Sequence, residues 1–367
     1  MNIAVVCFPG LGGSGVIASE LARGLAQRGH RVIVLATAIP ERLRVNGVRF
    51  EKIDVPCAPM FETAPYGLAV ANHIIHLARR EAIDLVHLHY AIPHAASALV
   101  AGQVLGASAP AMVVTLHGTD VTRLGPHPSL NPVTAFALAS CSGLTTPSQF
   151  LRREAASCFE LPAERIEVIS NFVDTRRFAP VARDRSVLDA LFGRPADGPT
   201  LFHVSNLRAI KRPLDLVEVL ARMRGARMVV VGEGPERAAL EDAARTRGVT
   251  MRTLGHRDDF EKLLAQADAF VLPSESESFG VAALEALASG VPVFGYDVGG
   301  LPEVVTPEVG TLVPVGDVDA LALAITAGLR SRDVLGERAR ERATSLFRDD
   351  QLVAAYEAYF QRVRGAR

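Results

Sequence analysis

Short, unbroken apolar runs alternate with longer segments of 3.6-residue period along this chain, and that alternation admits few folds. A run such as Ile3–Phe8 has no polar face, so both of its sides must be covered, as for a strand inside a parallel sheet. The periodic segments between runs supply the covering helices, which gives repeated βα units. In the first half the strands are expected at Ile3–Phe8, Arg31–Thr37, Val48–Val55, Asp84–His89, Met112–His117 and Gly143–Thr146. The helices between them are Gly15–Arg28, Leu68–Glu81 and Pro93–Leu105. The cycle restarts with strands Leu201–Ser205, Arg227–Val231, Met251–Leu254, Ala269–Leu272 and Val291–Gly295, and with helices Pro213–Met223, Pro235–Thr246, Phe260–Gln266 and Gly280–Ser289. The 367 residues exceed one ordinary domain. The expected class is therefore α/β, with two Rossmann-like, doubly wound parallel-sheet domains facing each other across a cleft. The boundaries fall at 1–169 and 200–349. Ser170–Pro180 and the polar Arg183–Pro199 carry no clear period and read as a linker plus an entry loop over 170–199. The last segment, within 350–367, is helical in pattern and is expected to pack back on the first domain.

Composition removes several function classes. Thirty-nine basic and 40 acidic residues leave a net charge of −1, so no global field would hold a nucleic-acid backbone. Four cysteines without a C-x-x-C pair make neither a disulfide framework nor a zinc knuckle and suit a reducing compartment. The opening MNIAVVCFPG reads as a buried strand, not a signal peptide, and no apolar stretch is long enough to span a bilayer. The cytoplasm is the expected location, with no stable membrane insertion; oligomeric state is left open. Only three basic residues are lysines: Lys52, Lys211 and Lys262.

Ligands of open α/β sheets bind beyond the carboxyl ends of strands, and every candidate motif falls there. Gly10-Leu11-Gly12-Gly13-Ser14-Gly15 follows the first strand and opens a helix. Such glycines allow a tight turn and bring backbone amides close to an anion. A dinucleotide site would also want an acid closing the second strand; here that strand ends in Thr37-Ala38, with Glu41 only beyond Pro40. An anion or acceptor contact at Gly13 and Ser14 is preferred over NAD, with a ligand-free turn as the bland alternative.

Glu277 and Glu285 lie eight residues apart around the start of a helix. Glu285 falls on an otherwise apolar stripe, where a carboxylate needs partners. Two carboxylates able to accept from vicinal hydroxyls suit a polyol, and the amides of Phe279, Gly280 and Val281 between them suit phosphate oxygens. Acidic capping of the helix, with Glu285 paired to a structural arginine, would explain the same residues without a ligand. Ser205-Asn206-Leu207-Arg208-Ala209-Ile210-Lys211-Arg212 places cations at another strand end, where a leaving diphosphate would be stabilised. In so lysine-poor a chain, Lys211 suggests a need for a compact ammonium; a solvated basic loop is the alternative. His87, His89, His94 and His117 lack metal-ligand spacing, so no metal and no cofactor are expected, and His87 reads as core.

Ser274–Glu285, followed by A-L-A-S-G-V-P-V and Gly299-Gly300-Leu301-Pro302-Glu303, resembles the E-x7-E signature of retaining GT-B glycosyltransferases of family 4. The resemblance implies that Glu277 contacts donor-sugar hydroxyls and Glu285 the nucleotide ribose. It implies that Lys211 opposes the diphosphate and that Gly232 and Arg257 border the nucleotide. It also implies that His117 lies near the sugar's outer hydroxyl, with Tyr90 and Thr119 near the acceptor. Many relatives carry Arg-x4-Lys where this chain has Asn206, so Arg208 is a candidate replacement. The segments HLHYAIPH, LHGTDVTRLGPHPSL, VSNLRAIKRP and VPVGDVDALA are similar, more narrowly, to the bacillithiol-pathway branch of that family. That likeness implies UDP-N-acetylglucosamine as donor and L-malate, a dianion, as acceptor, with Arg42, Arg44, Arg123 and the amides near Ser14 as candidates to hold it. Transfer to a lipid or another polyol, a nucleotide-sugar epimerase, a glycosidase and a hinged binding protein are the rival readings.

Overall fold

The computed structural model describes residues 1–10, 12–40, 42–43, 47–57 and 62–366. The chain divides into two compact units, Met1–Asn171 with Asp350–Arg367, and Phe172–Asp349.

In the first unit the described strands are β1 (Asn2–Val6), β2 (Arg31–Ala36), β3 (Val48–Lys52), β4 (Leu85–His89), β5 (Ala111–Thr115), β6 (Gly143–Thr146) and β7 (Ile166–Val168). They form one parallel sheet in the order β3-β2-β1-β4-β5-β6-β7. The chain runs outward from β1 one way, then returns to β4 and runs the other way, so the turns after β1 and β4 flank the switch point where ligands of such sheets bind. The helix Asp349–Gly365 packs on this unit. Tyr356 and Phe360 are fully buried, Phe360 lies 5.0 Å from the His87 ring, and Tyr359 donates to the Leu144 carbonyl at 3.1 Å. Gly24 makes room for it, since a Cβ there would stand 2.6 Å from Val353.

The second unit holds β8 (Thr200–Val204), β9 (Arg227–Val231), β10 (Thr250–Thr253), β11 (Ala269–Leu272), β12 (Val293–Tyr296) and β13 (Gly310–Val313), in the parallel order β10-β9-β8-β11-β12-β13. Its switch point lies between β8 and β11. Alternate residues serve opposite faces. Phe202, Val229, Phe270 and Val293 join one buried cluster with Leu284, Leu287 and Leu301. Leu201, Met228, Val271 and Phe294 join the other with Leu216, Leu240 and Ile325. Two covered faces explain why these strands read as unbroken apolar runs.

The expected linker over 170–199 is corrected. Phe172 onward belongs to the second unit, and Arg185–Phe192 is a helix capped by Asp184, which accepts from the Ser186 amide at 3.0 Å, and closed by Gly193 at φ +67°. Leu188 is buried and Gln266 donates to the Ala182 carbonyl at 3.0 Å, so the segment is tied down. The helix's apolar residues Val187, Leu188, Leu191 and Phe192 do hold helical spacing, but over only two turns and between polar, Pro- and Gly-containing flanks. The short edge strands β7 and β13 also lie outside the runs read as strands.

Candidate functional site

In the second unit the site is built from the turns after β8 and β11. His203, on β8, donates from Nδ1 to the Val271 carbonyl of β11 at 2.8 Å, which leaves Nε2 to accept from the Ser205 hydroxyl at 2.8 Å. Burial pushes His203 down to about 4, so the ring is neutral and keeps that one arrangement. A single 3₁₀ turn, Ala209–Lys211, follows and is ended by Arg212 in the left-handed region at φ +45°. Asp215 holds that end, accepting from Arg212 Nε at 2.8 Å and from the Tyr296 hydroxyl at 2.6 Å. The Glu275 amide donates to the Ile210 carbonyl at 2.8 Å, binding the two turns together.

The result is a direct pair between Lys211 Nζ and Glu277 Oε1 at 2.5 Å, with Ser274 Oγ donating to the same oxygen at 2.7 Å. The side chains retain 21% and 11% exposure, so the pair is partly enclosed yet reachable. The Glu277 carbonyl accepts from the Gly300 amide at 2.8 Å, which links the glutamate to the Gly299-Gly300 segment. Gly280, at φ +98°, starts the helix Val281–Ala288; a Cβ there would meet Leu301 Cδ1 at 2.7 Å. The first amides of that helix have no acceptor within it. Phe279 is buried, and Glu285 lies in the second turn at 4% exposure.

Gly232 and Gly234 pack against the turn after β8. Added Cβ atoms would stand 1.8 Å from the Ser205 carbonyl and 2.1 Å from the Asn206 carbonyl, and Gly232 has φ +126°. Only a residue without a side chain lets the two strand ends close up. Asn206 has its Oδ1 buried with no partner among the described residues, whereas Arg208 is exposed. Arg257 is paired with Asp259 through two bonds of 2.9 Å.

In the first unit, Gly12 is extended and the helix Gly13–Gln27 begins at once, with Gly13 exposed and Ser14 partly buried. A Cβ on Gly15 would lie 2.9 Å from the Gly10 carbonyl. Tyr90 takes φ +85°, its amide held by the Thr115 carbonyl at 2.8 Å and its ring edge-on to Phe8 at 5.6 Å. Asp120, fully buried, was missed by sequence reasoning although it closes the His117-Gly118-Thr119-Asp120 run. It accepts from the amides of Ala91 at 2.7 Å, Gly118 at 2.8 Å and His117 at 3.1 Å, fastening the turn after β4 to the turn after β5. Burial pushes its carboxyl up, opposed by these amides.

His117 Nε2 lies 2.9 Å from His89 Nδ1, and burial pushes His117 down to about 3. His87 bonds Thr115 Oγ1 at 2.6 Å, as a core histidine would. Thr119 and Arg123 are exposed on the one-turn helix Thr119–Thr122 and at its end. Arg42 is partly buried, and Arg44 and Glu41 lie outside the described residues. Among the described residues no three His, Cys, Asp or Glu side chains are grouped to hold a metal, and no helix is long and apolar enough to cross a membrane.

Two family models match the chain: Glycosyltransferase Family 4 over residues 11–177 and Glycosyl transferases group 1 over 185–345. N-acetyl-alpha-D-glucosaminyl L-malate synthase of Bacillus anthracis is 36% identical, with 98% of this chain and 96% of that protein covered. Among solved structures, sucrose-phosphate synthase from Thermosynechococcus elongatus superposes with a TM-score of 0.81 at 22% identity, covering 100% of both chains. HepE of Anabaena, solved with UDP and glucose, superposes at 0.82 and 20% identity, covering 98% of this chain and 99% of that one. At such identities the superpositions establish the fold: two Rossmann-like domains of GT-B type.

Proposed function

Because the chain belongs to glycosyltransferase family 4, we propose that it moves N-acetylglucosamine from UDP-N-acetylglucosamine to the hydroxyl of L-malate with retention at the anomeric carbon. The observation that carries the donor half is the Lys211–Glu277 pair at 2.5 Å beside the β8/β11 switch point. In a nucleotide sugar, the sugar hydroxyls and the diphosphate oxygens are separated by one glycosidic linkage. An ammonium and a carboxylate in contact can therefore be divided between them, Lys211 to the phosphate and Glu277 to the hydroxyls. As the bond from C1 to UDP loosens, negative charge gathers on the diphosphate. Lys211 and the amides of Phe279–Val281 oppose it, and this charge stabilisation is the principal catalytic term. Glu285 accepts from ribose hydroxyls, Asn206 and Arg208 border the diphosphate, and Gly232 and Arg257 border the nucleotide. The acceptor hydroxyl attacks from the face UDP leaves, and a phosphate oxygen takes its proton. His117 donates to the sugar's outer hydroxyl.

The acceptor half is supported by the B. anthracis relative at 36% identity. Malate's two carboxylates suit the helix amides at Gly13 and Ser14 and the exposed Arg123, with Tyr90 and Thr119 beside them. No metal takes part in this reading, so turnover should persist in chelator. The test is an acceptor screen with UDP-N-acetylglucosamine, with products read by mass. Glycosyl-malate formed in preference to other acceptors is expected. UDP release that malate does not accelerate over water would refute the acceptor, and an isomerised sugar formed without acceptor would favour an epimerase.

A further inference from the structure

His89 ends β4 and its side chain is completely enclosed. Its carbonyl accepts from His94 Nδ1 at 2.7 Å; since a carbonyl can only accept, the His94 proton sits on Nδ1, and His94 Nε2 accepts from the Tyr66 hydroxyl at 2.9 Å. Burial pushes His94 down to about 4 and His117 down to about 3, and holds His89 well below its ordinary range. Each ring therefore carries one proton at neutral pH, and which nitrogen bears it is set by hydrogen bonding.

The contact between His89 Nδ1 and His117 Nε2 at 2.9 Å admits two arrangements. If His117 donated, the His89 proton would sit on Nε2, a buried nitrogen with no partner among the described residues. If His89 donates, that same Nε2 is a bare lone pair. A buried N–H without an acceptor is rarer in folded proteins than an unfilled acceptor, so the second arrangement is favoured.

We propose that His89 is a positioning residue that sets the tautomer of His117: its Nδ1–H donates to His117 Nε2, so His117 bears its proton on Nδ1. The consequence for turnover rests on the transferase reading above, in which His117 donates to a sugar hydroxyl. The tautomer itself does not, because it exists without substrate.

The test uses the full-length chain labelled with ¹⁵N-histidine, substrate-free at neutral pH. Ring nitrogens are observed by long-range proton–nitrogen correlation, and His117 is identified by the signals lost in His117→Gln. His117 Nε2 is expected in the unprotonated imidazole range and His89 Nδ1 in the protonated range. A protonated His117 Nε2 overturns the proposal. Two variants then separate positioning from mere packing. The amide of His89→Asn stands near the former Nδ1–H and should keep the His117 pattern. The amide of His89→Gln reaches the former Nε2 position instead, so both His117 tautomers should populate and kcat should fall about tenfold with KM for the donor little changed. A wild-type His117 pattern in His89→Gln refutes the idea. If that variant does not fold, the wild-type spectrum alone decides. Absence of any sugar transfer would refute the transferase reading and leave the spectral result standing.

Discussion

Replacing Lys211 by Met removes the ammonium while keeping most of the side chain's bulk, and two consequences of very different size should follow. The first is structural. The pair with Glu277 is 2.5 Å long, and its side chains are 21% and 11% exposed. It lies between an exposed ion pair, which contributes about 0–1 kcal/mol, and a buried one, whose breaking costs about 3–5 kcal/mol. Glu277 also keeps the Ser274 hydroxyl at 2.7 Å. A loss of about 1–2 kcal/mol follows, which for a domain of this size lowers Tm by about 2–8 °C. The second consequence is catalytic. An ammonium fixed where charge develops on a leaving diphosphate is expected to contribute about 10²–10³ in kcat. Calorimetry of the variant and initial rates of UDP release at saturating substrates measure the two separately. A melting point lowered as expected, together with turnover within about threefold of wild type, would refute the catalytic assignment and leave Lys211 as a structural partner of Glu277. Lys211→Arg should recover stability better than rate, because a planar fork does not occupy the position of a compact ammonium.

Three other outcomes are expected. Gly232→Ala would place a Cβ 1.8 Å from the Ser205 carbonyl at a backbone φ of +126°; it should destabilise the C-terminal domain by about 3 kcal/mol or more, and wild-type urea unfolding would refute the close packing. Asp120→Ala leaves the buried amides of Ala91, His117 and Gly118 without an acceptor and should cost about 3 kcal/mol by denaturant titration; a loss below about 1 kcal/mol would mean that water or another group substitutes. Stability should also decline on acidification. His94 and His203 are held at about 4, below the ordinary 6.5, so the unfolded chain takes up protons that the folded chain refuses as pH falls past about 6.5. Each such imidazole should cost about 1.4 kcal/mol per pH unit between about 6.5 and 4, and a urea midpoint unchanged from pH 7 to pH 5 would contradict this.

The two-sheet architecture was legible because a strand covered on both faces must be apolar at every position, and β1, β2, β9 and β11 all are, apart from terminal residues such as Arg31. β7, with three residues, carries too few positions for that rule to act, and β13, an edge strand exposed at Thr311, need not be apolar throughout. The helix Arg185–Phe192 looked like linker because its two amphipathic turns, with Val187, Leu188, Leu191 and Phe192, sit between polar flanks, and its Asp184 cap is a residue that ordinary polar loops also contain. At the site, Lys211 stood out by its scarcity and Glu277 by its spacing from Glu285. Arg257-x-Asp259 carries a signal that could have been read, because an arginine two residues before an aspartate can be neutralised locally. Asp120 and His89 could not be assigned in the same way. Their partners come from turns 28–29 residues away, joined for Asp120 by the nearby amides of His117 and Gly118.

Thus local chemistry in the sequence determined which segments become strands and helices, where the glycine turns fall and which residue types gather at strand ends, since each depends on neighbours a few positions apart. Tertiary structure alone decided that Lys211 touches Glu277, that Asp120 binds one strand turn to the next, and that His89 meets His117. Those contacts depend on which strands become neighbours and in what register, and strand order is a property of the whole packed sheet, not of any stretch of chain.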